Sequence, residues 1–249
     1  MLFWSIGVVV MALLMMAFYH SFSAGGFDQI LKNVPKQFQS LIGNVASLKT
    51  VPGYVSQEVF ALRVPLLTLI MGTMLFTGLL AGDEGDGTLQ TLLAQPVSRL
   101  RLFAEKFLAG LVISFVICLM AIVGVLLGLV LVHEHMSIMR LFQATIGVWL
   151  LTVVYVSIGF ALGAMTGKKG LSGSVTGLIA FSTYILTSFV GSVSSIARIE
   201  KISPFHYYNN PPITEYGLKG SNVAIMVGVT LVLLLISAFV FQKRDIYQR

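Results

Sequence analysis

Long uncharged apolar runs recur along this chain and constrain its fold more than any other feature. A helix needs about 20 apolar residues to cross a bilayer whose hydrocarbon core is about 30 Å thick. Only 10% of the 249 residues are charged and 56% are hydrophobic, whereas soluble domains are about a quarter charged. The sequence therefore predicts an all-α integral membrane protein. Six transmembrane helices are expected: Leu2–Tyr19, Val64–Ala81, Phe107–Val132, Leu141–Gly167, Leu171–Ile196 and Ser221–Phe241.

The first of these runs has a second interpretation. Residues 21–23 (Ser-Phe-Ser) precede Ala24 in the small-x-small pattern of a signal-peptide cleavage site. A secretory signal carries positive charge ahead of its apolar core, and no Lys or Arg precedes this run. We therefore expect Leu2–Tyr19 to be a span, with cleavage as the alternative.

The loops between the spans indicate which side of the membrane the termini face. Two longer polar segments, His20–Leu62 and Arg198–Gly220, fall on the side away from the termini. In the first, apolar residues recur at helical spacing between Phe27 and Val45, which predicts one or two amphipathic interfacial helices. The 16 Lys and Arg divide evenly between the two sides, but the segments on the side of the termini are less than half as long. The higher density of positive charge there favours cytoplasmic termini.

The stretch Gly82–Phe107 joins the second and third spans and carries a periodic pattern. Six apolar residues recur at spacings of three and four, which makes an apolar stripe on a helix. The stripe residues are Leu89, Leu92, Leu93, Val97, Leu100 and Phe103, and the opposite side carries Thr88, Thr91, Gln95, Ser98 and Arg99. Pro96 lacks a backbone N–H and restricts Gln95, so two short helices should meet there. Such an amphipathic hairpin can lie on the bilayer surface or be held by a soluble partner.

An acidic cluster at residues 83–86 opens this stretch. We expect it at the N-terminus of the first hairpin helix, where the helix dipole favours negative charge. The cluster lacks the alternating ligands of a calcium loop, so a cation site is not expected there.

Other side chains that could carry chemistry are few. His133 and His135 flank Glu134, but zinc sites on one helix usually use His at i and i+4. The segment Gly163–Lys168 has three residues between its glycines, whereas a phosphate loop has four and places Ser or Thr after its Lys. We therefore expect no metal, no cofactor and no catalytic residue, and the chain is not predicted to be an enzyme.

Three classes of function are disfavoured by the distribution of polar residues. The spans hold almost no ionisable residue in their apolar cores, which disfavours transport coupled to buried carboxylates. No nucleophile–base pair stands out, so a membrane enzyme is not indicated. The net charge of +6 is spread over loop ends, and no basic run predicts nucleic-acid binding.

The stretch GDEGDGTLQTLLAQPVSRLRLFAEKF resembles the ABC-2 type permeases, which are the membrane subunits of ATP-binding-cassette exporters. The preceding ALRVPLLTLIMGTMLFTG, the loop ISPFHYYNNP and the later FVFQKRDI are also similar to features of that family. The resemblance covers nearly the whole chain. It implies that residues 1–249 form a single permease domain, with a cytoplasmic coupling hairpin between spans 2 and 3.

The resemblance also implies a mechanism. The hairpin would be held by a separate cytoplasmic ABC ATPase, which would bind the ATP and Mg, and the leucines of the stripe would fill a groove on that ATPase. The coupling residues implied are Glu84, Gly87, Thr88, Leu89, Leu92, Leu93, Pro96, Val97, Ser98 and Arg99. A second permease copy or a related permease would complete an export pathway in the cell membrane, in contact with lipids. A secondary transporter or channel that uses no ATPase is the alternative.

One feature departs from the family pattern. Members usually carry a basic amphipathic segment before the first span, whereas this sequence begins directly with Met1, Leu2 and Phe3. Either the start is truncated or this member lacks that segment. The sequence does not name a substrate, although apolar spans that contain Gly and Ser suit a lipid-like cargo better than a small ion.

Overall fold

The described part of the chain is built from helices and short helical turns, and no strand occurs in it. The structure is a computed structural model that describes residues 1–23, 47–189, 200–208 and 211–245. Six helices in these ranges are long and apolar enough to cross a membrane. Numbered as spans 1 to 6, they are Leu2–Ser21, Val51–Gly85, Arg99–Leu131, Ile138–Thr166, Lys169–Ser188 and Gly220–Lys243. The prediction of an all-α membrane protein with six transmembrane helices is confirmed.

Several helices extend beyond the apolar runs that predicted them. Span 2 begins at Val51 and continues to Gly85, with π-helical segments at Val55–Phe60 and Gly78–Gly82. Hydropathy marks only the membrane-embedded apolar part of a helix, whereas backbone hydrogen bonding continues into the interface. The helix of span 5 is described as far as Phe189. The end predicted for it at Ile196, and the interfacial helices predicted between residues 27 and 45, lie outside the described residues.

Shorter helices connect the spans. The segment Thr88–Leu93 lies between spans 2 and 3, and two short helices, Pro204–Tyr208 and Ile213–Tyr216, lie between spans 5 and 6. The hydroxyl of Tyr208 donates a hydrogen bond of 2.6 Å to the carbonyl of Phe60. Burial raises the pKa of the Tyr208 phenol above its ordinary value, which keeps it a hydrogen-bond donor at neutral pH. This bond fixes the loop against the beginning of span 2.

Span 4 is the central helix of the bundle. Within its most apolar stretch 78% of the residues are buried, whereas the corresponding figure for span 6 is 22%. It packs against spans 2, 3, 5 and 6, and span 1 packs mainly against span 3. One apolar cluster fills the bundle towards the turn that joins spans 3 and 4. A second, called the hairpin-side cluster below, comprises Phe76, Leu80, Leu89, Leu102, Phe103, Phe107, Val153, Val156, Phe160, Ala164 and Phe241.

Spans 1 and 3 approach each other closely because two glycines lie at their contact. A Cβ atom placed on Gly128 would lie 2.2 Å from the Cβ of Met16, and one on Gly124 would lie 2.6 Å from the carbonyl oxygen of Val9. Small residues allow helices in lipid to gain van der Waals contact along their backbones. The order of these contacts also shows that spans 1 and 3 run in parallel.

The parallel course of spans 1 and 3 places the termini of the bundle. Span 3 starts at the hairpin, so the start of span 1 lies at the same end of the bundle as the hairpin. Arg244, just after span 6, also contacts the hairpin. Both ends of the six-span chain therefore lie at the end of the bundle that carries the hairpin, called the hairpin face below.

Candidate functional site: the hairpin between spans 2 and 3

The connection between spans 2 and 3 is shaped by one glycine and one proline. Span 2 ends at Gly85, and Gly87 adopts a left-handed conformation (φ 76°) that stops the helix and directs the chain into Thr88–Leu93. The chain turns again around Pro96. Ser98 then caps the next helix by accepting a hydrogen bond from the backbone N–H of Arg101 at 3.3 Å.

The second arm of the hairpin differs from the sequence expectation of a short helix. It is the first part of span 3, which runs unbroken from Arg99 to Leu131. No proline occurs between these residues, so nothing ends the helix at the membrane surface. The hairpin is therefore one short helix leaning on the extended start of a transmembrane helix.

The acidic cluster also lies elsewhere than predicted. Asp83 and Glu84 belong to the C-terminal end of span 2 and not to the N-terminus of the hairpin helix, because helical structure continues through Gly85. The helix dipole disfavours negative charge at that end. Each carboxylate is instead compensated by an ion pair, Asp83 with Lys106 and Glu84 with Arg244.

The apolar stripe of the hairpin faces its own chain except at Leu100, which is 49% exposed. Leu89 is completely buried in the hairpin-side cluster, and Leu92, Leu93 and Val97 pack against the same cluster. Burial of a leucine side chain contributes roughly 1.5–3 kcal/mol. The surface of Leu89 is therefore covered by the bundle, and the expectation that these leucines fill a groove on a partner stays a prediction.

The outward face of the hairpin turn carries polar and small side chains. The exposed residues of the turn and its flanks are Gly85, Asp86, Thr88, Thr91, Ala94, Gln95, Pro96 and Ser98. This surface is the part of the hairpin that another protein can reach. Of the coupling residues inferred from the sequence, Thr88, Pro96 and Ser98 lie on it, whereas Glu84 and Arg99 point to the end of span 6.

Arg244 also belongs to this site and was not among the coupling residues inferred from the sequence. Besides its pair with Glu84, its guanidinium donates a hydrogen bond of 2.7 Å to the carbonyl of Ala164 at the end of span 4. Its own carbonyl accepts a hydrogen bond of 2.5 Å from Arg99. The signal for it in the sequence is the segment FVFQKRDI, which contains Arg244 and is similar to a feature of a known family.

A polar cleft opens beside the hairpin. It has a volume of about 460 Å³ and separates the hairpin from the turn between spans 4 and 5. Its walls are formed by Glu84, Gly85, Gly87, Gln90, Thr166, Gly167, Lys168, Arg244 and Asp245. The cleft and the outward hairpin face together form one polar surface at the end of the bundle that carries both termini.

A second, apolar groove of about 700 Å³ lies between spans 2 and 5. Leu66, Ile70 and Met74 of span 2 face Gly173, Gly177 and Phe181 of span 5 across it. Lys169 stands at the end of the groove nearest the hairpin, and Phe205 stands at the other end. Few polar groups line the groove, as is required of a surface that meets lipid or another apolar helix.

Comparison with known proteins agrees with this architecture. A family model described as ABC-2 family transporter protein matches residues 1–246 of the 249-residue chain. No curated protein matches the chain at a significant level. Because the family match covers almost the whole chain and the bundle has six membrane-spanning helices, the chain belongs to the ABC-2 family and is a multi-pass permease component of an ABC transporter.

Proposed function

We propose that this permease belongs to an exporter and that its hairpin is the docking element for a separate cytoplasmic ATPase. The observation that carries the proposal is the division of the hairpin into two faces. Leu89 is held in the bundle while Thr91, Gln95 and Pro96 are exposed on a turn between two spans. A partner that binds the exposed face holds an element whose other face is packed on the transmembrane helices.

The proposed orientation puts the hairpin and both termini in the cytoplasm of a cell whose plasma membrane holds the permease. Lys168, Lys169 and Lys243 stand at span ends on the hairpin face, together with Arg99 and Arg244. Positive charge near the ends of spans favours the cytoplasmic side. The ATPase would meet the hairpin there and would hold the ATP and Mg itself.

A second permease copy is the proposed partner within the membrane. The apolar groove between spans 2 and 5 leaves Ile70 and Phe181 exposed on its walls. Another copy, or a related permease, that packs against this face would enclose a pathway lined by both subunits. Such a pathway, with few polar groups, fits a lipid-like or amphipathic cargo.

The docking proposal is tested by protection of a single cysteine. The tagged permease is purified with the protein that accompanies it, and that protein is identified by mass spectrometry and assayed for ATP hydrolysis. In a Cys118→Ala background, Thr91→Cys should react with a thiol reagent in the permease alone and be protected in the complex. Ser137→Cys, between spans 3 and 4 and away from the hairpin, should react equally in both. Equal reactivity of Thr91→Cys with and without a bound ATPase would place the docking site elsewhere.

A permease that purifies fully active without an ATPase would favour the alternative, a secondary transporter or channel. The second-copy proposal has its own test, because Ile70→Cys should form a cross-linked dimer in the membrane. Leu127→Cys is the matched control, since Leu127 is similarly exposed on span 3 but lies away from the groove. Equal cross-linking at the two positions would contradict a specific dimer at spans 2 and 5.

A further inference from the structure

Arg244 joins four segments of the bundle at one point. It follows span 6, pairs with Glu84 at the end of span 2 and donates to Ala164 at the end of span 4. Its carbonyl accepts from Arg99, the first residue of span 3. A guanidinium holds several acceptors in a fixed planar arrangement, which a lysine ammonium does not.

The pair formed by Arg244 and Glu84 lines the polar cleft but is less exposed to solvent than an ordinary surface pair. Each side chain is 17% exposed, whereas the side chains of the Arg101–Glu105 pair on the hairpin surface are 70% and 55% exposed. Gly167 closes the remaining side, since a Cβ atom there would lie 2.5 Å from Glu84 Oε1 and 2.6 Å from Arg244 Nη2. Enclosed ion pairs are screened less by salt and move less than exposed ones.

The hairpin is covalently joined to spans 2 and 3 only. The Asp83–Lys106 pair links span 2 to span 3 and so adds no connection to other spans. Leu89 reaches spans 4 and 6 through the hairpin-side cluster, but apolar contacts are not directional and allow sliding. Among the ion pairs of the described residues, Glu84–Arg244 connects the end of span 2, next to the hairpin, to span 6, and through Ala164 to span 4. Arg99 also donates to the carbonyls of Gln242 and Arg244, which joins the start of span 3 to the end of span 6 but does not reach span 4.

We propose that Arg244 is a positioning residue that ties the hairpin to spans 4 and 6, so that movement of the hairpin reaches the half of the bundle to which it is not covalently joined. The inference rests on the proposed docking of an ATPase at the hairpin. Without this tie, the ATPase would still move spans 2 and 3, while the hairpin-side ends of spans 4 and 6 would follow less closely.

The test compares hydrogen exchange in the permease–ATPase complex in lipid nanodiscs, with and without ATP and vanadate. In the wild type, trapping the nucleotide should change exchange in the hairpin and in the hairpin-side ends of spans 4 and 6. Arg244→Gln and Glu84→Gln should keep the change in the hairpin and show a selectively smaller change in spans 4 and 6. Arg244→Lys, which retains the charge, should restore part of the change, and Glu105→Gln, in the exposed pair, should behave as the wild type.

The outcomes separate this inference from the proposed function. Changes of wild-type size in spans 4 and 6 of both Arg244→Gln and Glu84→Gln would overturn the positioning role. A uniform rise of exchange throughout the bundle, without selective loss in spans 4 and 6, would also overturn it, because it would show a merely structural role. Failure of the ATPase to protect the hairpin in the wild type, before nucleotide is added, would instead refute docking at the hairpin.

Discussion

Replacement of Leu89 by alanine should loosen the hairpin from the bundle. Leu89 is completely buried among phenylalanines contributed by spans 2, 3, 4 and 6. Leucine-to-alanine changes in cores cost about 2–5 kcal/mol, and the cost is lower where the surroundings can collapse into the cavity. The hairpin helix Thr88–Leu93 is short and lies at the end of the bundle, so we expect about 2–3 kcal/mol. The hairpin should then open roughly 30- to 140-fold more often, since 1.4 kcal/mol corresponds to a factor of ten.

The matched change is Thr91→Arg on the exposed face of the same helix. Thr91 is solvent-exposed, so this substitution should change stability by less than about 0.5 kcal/mol. A bulky charge in the docking surface should nevertheless weaken ATPase binding by at least about tenfold. The two variants thus separate the packing of the hairpin against the bundle from its docking surface.

Two measurements on purified permease decide between these effects. Hydrogen exchange of residues 86–97 reports how often the hairpin opens, and the amount of ATPase retained per permease reports docking. Leu89→Ala should accelerate exchange and lower retention only in proportion to the open fraction, whereas Thr91→Arg should lower retention at unchanged exchange. If exchange is unaffected in Leu89→Ala while ATPase retention is abolished, Leu89 contacts the ATPase directly and the assignment of faces is refuted.

Three further outcomes are expected. In intact cells with a Cys118→Ala background, an impermeant thiol reagent should label Ser137→Cys and leave Gln95→Cys unlabelled; the opposite pattern would invert the orientation. The purified permease without other subunits should hydrolyse no ATP in a phosphate-release assay, and turnover that co-elutes with the pure chain would contradict this. Gly128→Ala should overpack the contact of spans 1 and 3, cost about 1–3 kcal/mol and lower the melting temperature by about 2–12 °C. Gly228→Ala, which meets open space, should cause no loss, and equal melting of the two variants would contradict close packing.

The sequence predicted the elements that depend on local chemistry. Uncharged apolar runs located the six spans because the bilayer imposes a length on any helix that crosses it. Pro96 located the turn of the hairpin because a missing N–H and a fixed φ act on the residues beside it. The family resemblance, carried by residues 82–107, agrees with the family match over residues 1–246.

What the sequence did not predict depends on contacts between distant segments. Periodicity showed that Leu89, Leu92 and Leu93 share a face, but it could not show that this face meets Phe160 and Phe241 of the same chain. The end of a helix is also poorly marked in a sequence where charged residues follow an apolar run. The position predicted for the acidic cluster is wrong for this reason. The positions of these acidic residues are explained by their ion pairs with Lys106 and Arg244.

The contacts between the hairpin side of the bundle and the end of span 6 have a consequence for biosynthesis. Glu84 and Arg244 are 160 residues apart, and Phe241 of the same cluster is made only shortly before Arg244. At about 5–20 residues per second, a ribosome needs on the order of ten seconds or more to cover that distance. Until span 6 is made the hairpin lacks Phe241 and Arg244, although the other phenylalanines of the hairpin-side cluster are made earlier. A chain that stops short of span 6 therefore lacks part of the contacts that hold the hairpin on the bundle.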